Sequence, residues 1–333
     1  MAFVKWTTLL AILSGSAGPQ TVKEKASVVT QDLKRGAEEV YSQLLTSLKD
    51  LRESLTSKEA GELDSQDLDD AFRVMSFNIR WDDVEDKVNS WGQRKESVAS
   101  TIRFHKADLV GLQEPFRGQM QELGDLLPDY EWFGVGWEDG KDLGPVDPIM
   151  FRKSRFELLD CSSFYLSDTP NEPSKGWDAK FPRGVTWVKL RDKKSKRVFY
   201  FFNTHFDYHG RKARDESAIL LQKKIKEIAG NTPFLVTGDF NLFPELEGEV
   251  TYKLLTEGKE AKLYDAQSTA QFPHHGPTGT WSGFKEAGQP GIKPDYIFVG
   301  PETKVITHGV LSDCFDGKFA SDHLPVVSDM ILP

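Results

Sequence analysis

Cysteine is scarce in this chain: only Cys161 and Cys314 occur, too few for a disulfide scaffold or a thiolate metal cluster. Their spacing leaves one bridge and two free thiols both open. No HExxH helix motif is present, so the usual zinc-hydrolase arrangement is absent. Basic residues are not in excess. The net charge of −9 argues against a broad nucleic-acid footprint, although a local basic cleft stays compatible with it. No stretch beyond the N-terminal segment is apolar for long enough to span a bilayer. No Asn-x-Ser/Thr acceptor occurs, which weakens an extracellular eukaryotic setting but not a bacterial envelope. Internal repeats are also missing.

What is present is ample core material. Eight tryptophans and 22 phenylalanines in 333 residues suffice for one large domain or two small ones. Residues 1–18 carry Lys5, the apolar run Trp6–Leu13 and the small residues Ser14–Gly18, the pattern of a secretory signal. That reading places the protein in the secretory pathway or envelope. A disordered or organelle-targeting leader is the alternative, with a cytoplasmic or organellar location. Within 19–70, Leu33, Ala37, Val40, Leu44, Leu48, Leu51 and Leu55 recur at helical steps, and Glu62–Asp70 reads as an acidic linker. The amphipathic helix leans on the main domain, pairs with a copy of itself or recruits a partner. Mixed-sign charge disfavours a membrane-surface helix.

The principal domain is expected over 71–333. Apolar runs at Phe72–Ile79, Ala107–Leu112, Pro148–Phe151, Phe156–Leu159, Val185–Leu190, Val198–Asn203, Phe234–Thr237, Tyr296–Val299 and Val326–Met330 predict strands. Glu96–His105 and Ala213–Ala229 predict helices. Many antiparallel-type strands with few helices imply an α/β fold of two sheets face to face, with helices outside. Polar residues repeatedly follow the apolar runs, so one rim of that sandwich collects them.

Those rim residues carry the chemistry. Glu114, after Leu109–Leu112, is a carboxylate at the mouth of a buried strand, most comfortable beside a cation or an arginine. Asn78 ends a strand and is placed to orient Glu114 or touch a metal through oxygen. Asp239 and Asn241, two apart in extended chain, are expected to face one point. Asp322-His323 pairs a metal-binding carboxylate with a proton-transferring imidazole, and Asp295 is a candidate to accept its second N–H. His205 and Asp207 share a face by the same rule. Arg183 is a candidate bidentate phosphate contact, against a bland surface role. All-oxygen donors select Mg²⁺ or Mn²⁺ over Zn²⁺, the usual companions of phosphate chemistry.

The segments MSFNIR, GLQE, NTHFD, TGDFN, PDYIF and SDHLP, in this order between Phe72 and Val327, resemble the endonuclease/exonuclease/phosphatase (DNase I-like) superfamily. Trp91 and Arg94, the LSDTP segment and Gly176–Asp178 liken it most to a broad, functionally ill-defined group within it. The resemblance implies a four-layer α/β sandwich and Mg²⁺-dependent hydrolysis of a phosphoric ester by an activated water. It implies Asn78, Glu114 and Asp322 around the metal, and Asp239 and Asn241 as the water-activating and phosphate-orienting pair. It further implies Asp295 supporting His323, and His205 at the phosphate or leaving group. Either Asp239 or His323 serves as general base. Arg80 stands where AP endonucleases carry an acid, adding positive charge on the substrate side and arguing against DNA repair. A phosphodiesterase or phosphatase for small or lipid-linked phosphoesters is the favoured reading. A nuclease or deadenylase is the alternative, and a non-catalytic binding protein a third.

Overall fold

The computed structural model describes residues 69–242, 250–285 and 287–333. The chain divides into two units, Met1–Glu62 and Leu63–Pro333, and every described residue belongs to the second. The expected leader over 1–18 and the amphipathic helix lie outside the described residues. Among the described residues, no helix is long and apolar enough to cross a membrane.

Two mixed six-stranded sheets form the unit. The first, in spatial order, holds β11 (Lys304–Val310), β12 (Val326–Ile331), β1 (Phe72–Asn78), β2 (Leu109–Gln113), β4 (Ile149–Arg152) and β3 (Tyr130–Phe133). The second holds β5 (Phe156–Tyr165), β6 (Gly184–Asp192), β7 (Val198–His205), β8 (Phe234–Asp239), β10 (Asp295–Val299) and β9 (Tyr264–Asp265). Among these described strands, only β1–β2 and β7–β8 pair in parallel. Helices α1 (Trp91–Phe104) and α2 (Arg117–Leu126) contribute to one core cluster, and α3 (Arg211–Ala229) and α4 (Val250–Glu257) to another. A short helix, α5 (Ala266–Thr269), follows β9.

Period-two alternation explains the layering. In β1, Phe72 and Val74 join the core between the sheets, while Met75 and Phe77 pack with Val98, Ile102 and Met120 of α1 and α2. In β7, Phe199 and Phe201 face inward, while Tyr200 and Phe202 meet Leu221 and Ile225 of α3. The four-layer α/β sandwich is therefore observed.

Along each central strand the inward positions turn polar toward one end. β1 reads Phe72, Val74, Ser76, Asn78; β7 reads Phe199, Phe201, Asn203, His205; β8 reads Leu235, Thr237, Asp239. β10 runs the opposite way and reaches the same end at Asp295, opposite Asp239. Beneath that end a polar layer ties the sheets together. Asn203 Oδ1 accepts from Gln113 Nε2 at 2.7 Å and Thr237 Oγ1 at 2.9 Å, and its amide donates to Leu112 O at 2.6 Å. Gly111 is required there, since a Cβ would lie 2.0 Å from Thr237 Oγ1 and 2.4 Å from Asn203 Oδ1.

The expected strands are all present, with β5, β6, β7 and β8 running one to six residues longer than expected at one end or both. Elements not anticipated are α2, β3, β11, α4 and the short β9 and α5. Both cysteines are free.

β11 also carries a buried imidazole that ties stability to pH. His274 Nε2 lies 2.8 Å from Pro277 O and therefore donates, so its Nδ1 accepts from His308 Nδ1 at 2.9 Å. Burial, with help from Lys293 and His274, pulls His308 down to about 3. The folded pKa lies below the unfolded value, so nothing is lost above about pH 6.5. As pH falls below that, the unfolded chain binds a proton that the folded one refuses. Between pH 7.5 and 5.0 the cost is about 2 kcal/mol. His308→Leu should flatten the pH dependence of urea unfolding by that amount.

Candidate active site

The site forms where the ends of β1, β2, β7, β8 and β10 meet the loop that carries Asp322 and His323. Three chain reversals build it, each through a non-glycine residue with left-handed backbone: Arg80 (φ 57°), Glu114 (φ 78°) and Asn241 (φ 49°). Such conformations cost about 1–3 kcal/mol each for bulky residues and persist only where the surroundings hold them. At Glu114 the hold is visible. Its peptide N–H donates to the Asp147 carboxylate, its Oε2 accepts from Trp81 N at 3.3 Å and its Oε1 from Asn78 Nδ2 at 2.9 Å.

Asn78 brackets two acids, since the same Nδ2 also reaches Asp239 Oδ2 at 2.9 Å. Its Oδ1 accepts from Arg80 N at 3.0 Å. Asn78 thus turns its N–H₂ group to the two carboxylates and its oxygen to the Arg80 peptide, bridging β1 to the acids of both sheets. Asp239 stands between His205 on β7 and Asp295 on β10 as their direct register partner. Its Oδ2 lies 3.4 Å from His205 Nε2 and 3.8 Å from His323 Nε2. His323 Nδ1 meets Asp295 Oδ2 at 2.8 Å, and Thr280 Oγ1 donates to the same oxygen at 2.6 Å.

Asn241 joins the group differently from expectation. The strand stops at Asp239, whose Oδ1 accepts from Asn241 N at 3.0 Å in a tight turn. The Asn241 amide then donates to His205 Nε2 at 3.1 Å and Phe206 O at 2.9 Å. Convergence comes from the turn, not from extended-chain alternation. Asp207 also departs from expectation. It is buried, and its carboxylate accepts from the peptide N–H groups of Phe181, His209 and Gly210, leaving no acceptor for substrate. It shapes the loop and lies 3.6 Å from Arg183. Arg183 itself is nearly buried, and its Nε has no hydrogen-bond partner. Arg80 pairs with Asp86 at 3.1 Å and covers the Trp81 ring at 4.3 Å.

Electrostatics divides the roles. Burial alone would push His323 down, but Asp295, Asp239 and the hydrogen bond to Asp295 outweigh it and hold its pKa well above 6.5. Burial, Arg183 and His323 force His205 well below 6.5, so it is neutral. Burial and the neighbouring Asp295 raise Asp239 to about 7. Burial and Asp322 raise Glu114. Asp322 is partly exposed, bonded to Ser321 Oγ at 3.2 Å, and its charge acts on Glu114, Arg80 and His323.

Clustered acids that raise one another's pKa are short of positive charge, which is the condition a cation relieves. Glu114, His205 and Asp239 offer donor atoms within 4.8 Å of one another, as do Asp239, Asp295 and His323. Oxygen donors outnumber nitrogen donors in both groups, the donor chemistry that suits a hard divalent ion. Asp322 stands outside both trios.

Residues 75–323 match the model of the Endonuclease/Exonuclease/phosphatase family. The chain belongs to this family. Its members are hydrolytic phosphoesterases, generally dependent on a divalent metal. Two solved Bacteroides structures are similar over most of the chain. An endonuclease/exonuclease/phosphatase protein from Bacteroides vulgatus is 37% identical with TM-score 0.74, covering 79% of this chain and 99% of that one. The mannosyl-6-phosphatase Bt3783 of Bacteroides thetaiotaomicron is 34% identical with TM-score 0.73, covering 78% and 100%. Drosophila melanogaster Nocturnin is 24% identical over 284 residues, 73% of this chain but only 42% of that protein.

Other residues that shape the site were not singled out from the sequence. Asp147, just before the strand expected at Pro148–Phe151, is buried against Glu114 and Trp137. Thr280 and Ser321 fix Asp295 and Asn78, the latter through Ser321 Oγ to Asn78 O at 2.7 Å. Arg94, noted only as part of a resemblance, donates to the carbonyls of Ile79, Arg80 and Ala320, closing the loops around the acids.

Proposed function

We propose that the protein is a Mg²⁺-dependent phosphoesterase that hydrolyses a small phosphomonoester, with a sugar phosphate as the favoured substrate. The observation that carries this reading is the Asp239–His323–Asp295 line, with Glu114 and Asn78 brought to it from the opposite sheet. Glu114 would hold the cation, which would supply positive charge to offset the charge developing on the reacting phosphate. Asp239, at the centre of the cluster and 3.8 Å from His323 Nε2, accepts the proton of the attacking water. His323, kept protonated by Asp295, donates to a phosphoryl oxygen as charge develops. Asn241 positions the ester beside it. Arg183 carries guanidinium N–H groups suited to oxygen acceptors of the substrate. The new oxygen–phosphorus bond forms opposite the ester bond that breaks, and the leaving oxygen takes up a proton from solvent, releasing phosphate and an alcohol.

Likeness to a mannosyl-6-phosphatase at 34% identity supports the monoester and the sugar. The acidic chain speaks against tracking a polyanion. A panel of mannose 6-phosphate, an aryl diester and single-stranded DNA, with Mg²⁺ or with chelator, tests the reading. Chelator-sensitive release of phosphate from the sugar ester, at least tenfold faster than turnover of the other two, is expected. Faster cleavage of DNA, or turnover indifferent to chelator, would overturn it.

A further inference from the structure

Beside Glu114 lies a cavity of about 220 Å³ walled by Trp81, Phe116, Trp137 and Phe181, with Glu138 and Arg183 among its lining. It is smaller than the roughly 300–1,000 Å³ usual for drug-sized ligands, so it suits a single small ring. Two walls differ in rigidity. Trp137 is buried, donates from Nε1 to Asp147 Oδ2 at 2.7 Å and packs edge-on against Tyr165. A Cβ at residue 184 would strike its ring at 2.2 Å, so Gly184 is required for that wall. Phe181 and Phe116, by contrast, are 44% and 37% exposed, and Phe181 keeps this exposure although Lys180 and Arg183 lie over its ring at 5.6 and 6.0 Å.

The polar lining decides what kind of ring fits. Arg183 is nearly buried and its Nε faces Asp207 at 3.6 Å, so the terminal N–H groups of its guanidinium are the donors it brings to the cavity it lines. Glu138 is exposed and adds an acceptor. Donors and acceptors together suit hydroxyl groups, which use both. Aromatic faces carry negative charge density and favour the slightly positive C–H edges of a saturated ring. A quaternary ammonium would meet the guanidinium groups of Arg183 and of Arg80, which already lies over Trp81. A polynucleotide would bring further phosphates toward Glu138. We infer that this cavity is the ring subsite, seating the pyranose of a hexose phosphate against Phe181 and Trp81 with Arg183 and Glu138 on its hydroxyls. The inference rests on the phosphomonoesterase reading for the position of the phosphate. Phe181, Trp81 and Arg183 then determine specificity.

Two measurements on the full chain separate the subsite from the activity. In the first, kcat/KM is determined for mannose 6-phosphate, glycerol 3-phosphate and adenosine monophosphate. Phe181→Ala should lower the ratio of mannose 6-phosphate to glycerol 3-phosphate about tenfold, chiefly through KM, whereas Phe181→Tyr should restore it to within about threefold. Phe272→Ala, an exposed aromatic outside the cavity, should leave the ratio unchanged. In the second, mannose 6-phosphate is titrated calorimetrically into wild type and Phe181→Ala in chelator, where turnover is stopped. Weaker binding to the variant supports the subsite even if no ester is hydrolysed, in which case only the catalytic reading falls. An unchanged ratio with intact turnover, equal binding by both proteins, or a greater dependence of the nucleotide on Phe181 would overturn the subsite.

Discussion

Asp239→Asn is expected to lower kcat for the preferred phosphoester by about 10³-fold, within the range of about 10²–10⁴ seen when a positioned acid–base group is lost. The carboxylate is the one group in contact with Asn78, His205, Asn241 and His323 together. An amide keeps the size and can still accept from Asn241 N, but it cannot take a proton from water. Stability should move the other way. Burial and Asp295 raise the Asp239 pKa above its unfolded value, so at neutral and higher pH its charge costs the folded state free energy. Removing that charge should leave the thermal midpoint of the metal-free protein at or above that of wild type. Full activity in the variant would remove Asp239 from the chemistry. Loss of activity together with a fall in midpoint of many degrees would assign it to the fold.

Asp295→Asn should cost a similar factor, about 10³-fold in kcat, although Asp295 touches neither substrate nor metal in this account. It works through His323. The carboxylate receives the Nδ1 proton at 2.8 Å and is itself fixed by Thr280. With an amide in its place, the imidazole loses the charge that keeps it protonated and the acceptor that sets its orientation. The loss should appear in kcat with KM nearly unchanged, because the substrate pocket is untouched. Thr280→Val is the graded counterpart. It removes only the bond that holds Asp295 and should reduce kcat about tenfold. An effect of either substitution confined to KM would contradict a positioning role.

Much of this site is legible in the sequence, for a simple reason. Inward-facing strand positions are apolar where they fill the inter-sheet core and polar where they emerge from it. Asn78, Glu114, His205 and Asp239 therefore announce themselves by ending or following apolar runs, and Asp295 and His323 by standing just before them. What escapes is whatever depends on the turn beyond the strand. Asn241 looked extended but lies in a left-handed turn, and Asp207 looked exposed to substrate but is consumed by three peptide N–H groups. Asn78 shows its amide nitrogen to the acids, an orientation no spacing encodes. Asp147 was invisible because its partner Glu114 lies 33 residues away in the chain and is met through backbone, not through a motif. In the fold, α2 was missed because Gly118 and Gly124 dilute its helical pattern, and β11 because its register shifts between Val305 and Thr307.

The central claim is that water, activated at the rim of the sandwich, attacks phosphorus. Turnover in ¹⁸O-enriched water with Mg²⁺ present tests it most directly, read by mass spectrometry of both products. One ¹⁸O atom in the released phosphate and none in the alcohol is the expected result. Label in the alcohol would mean that carbon, not phosphorus, is attacked, and the assignment of Asp239, His323 and Glu114 to phosphoryl chemistry would be wrong.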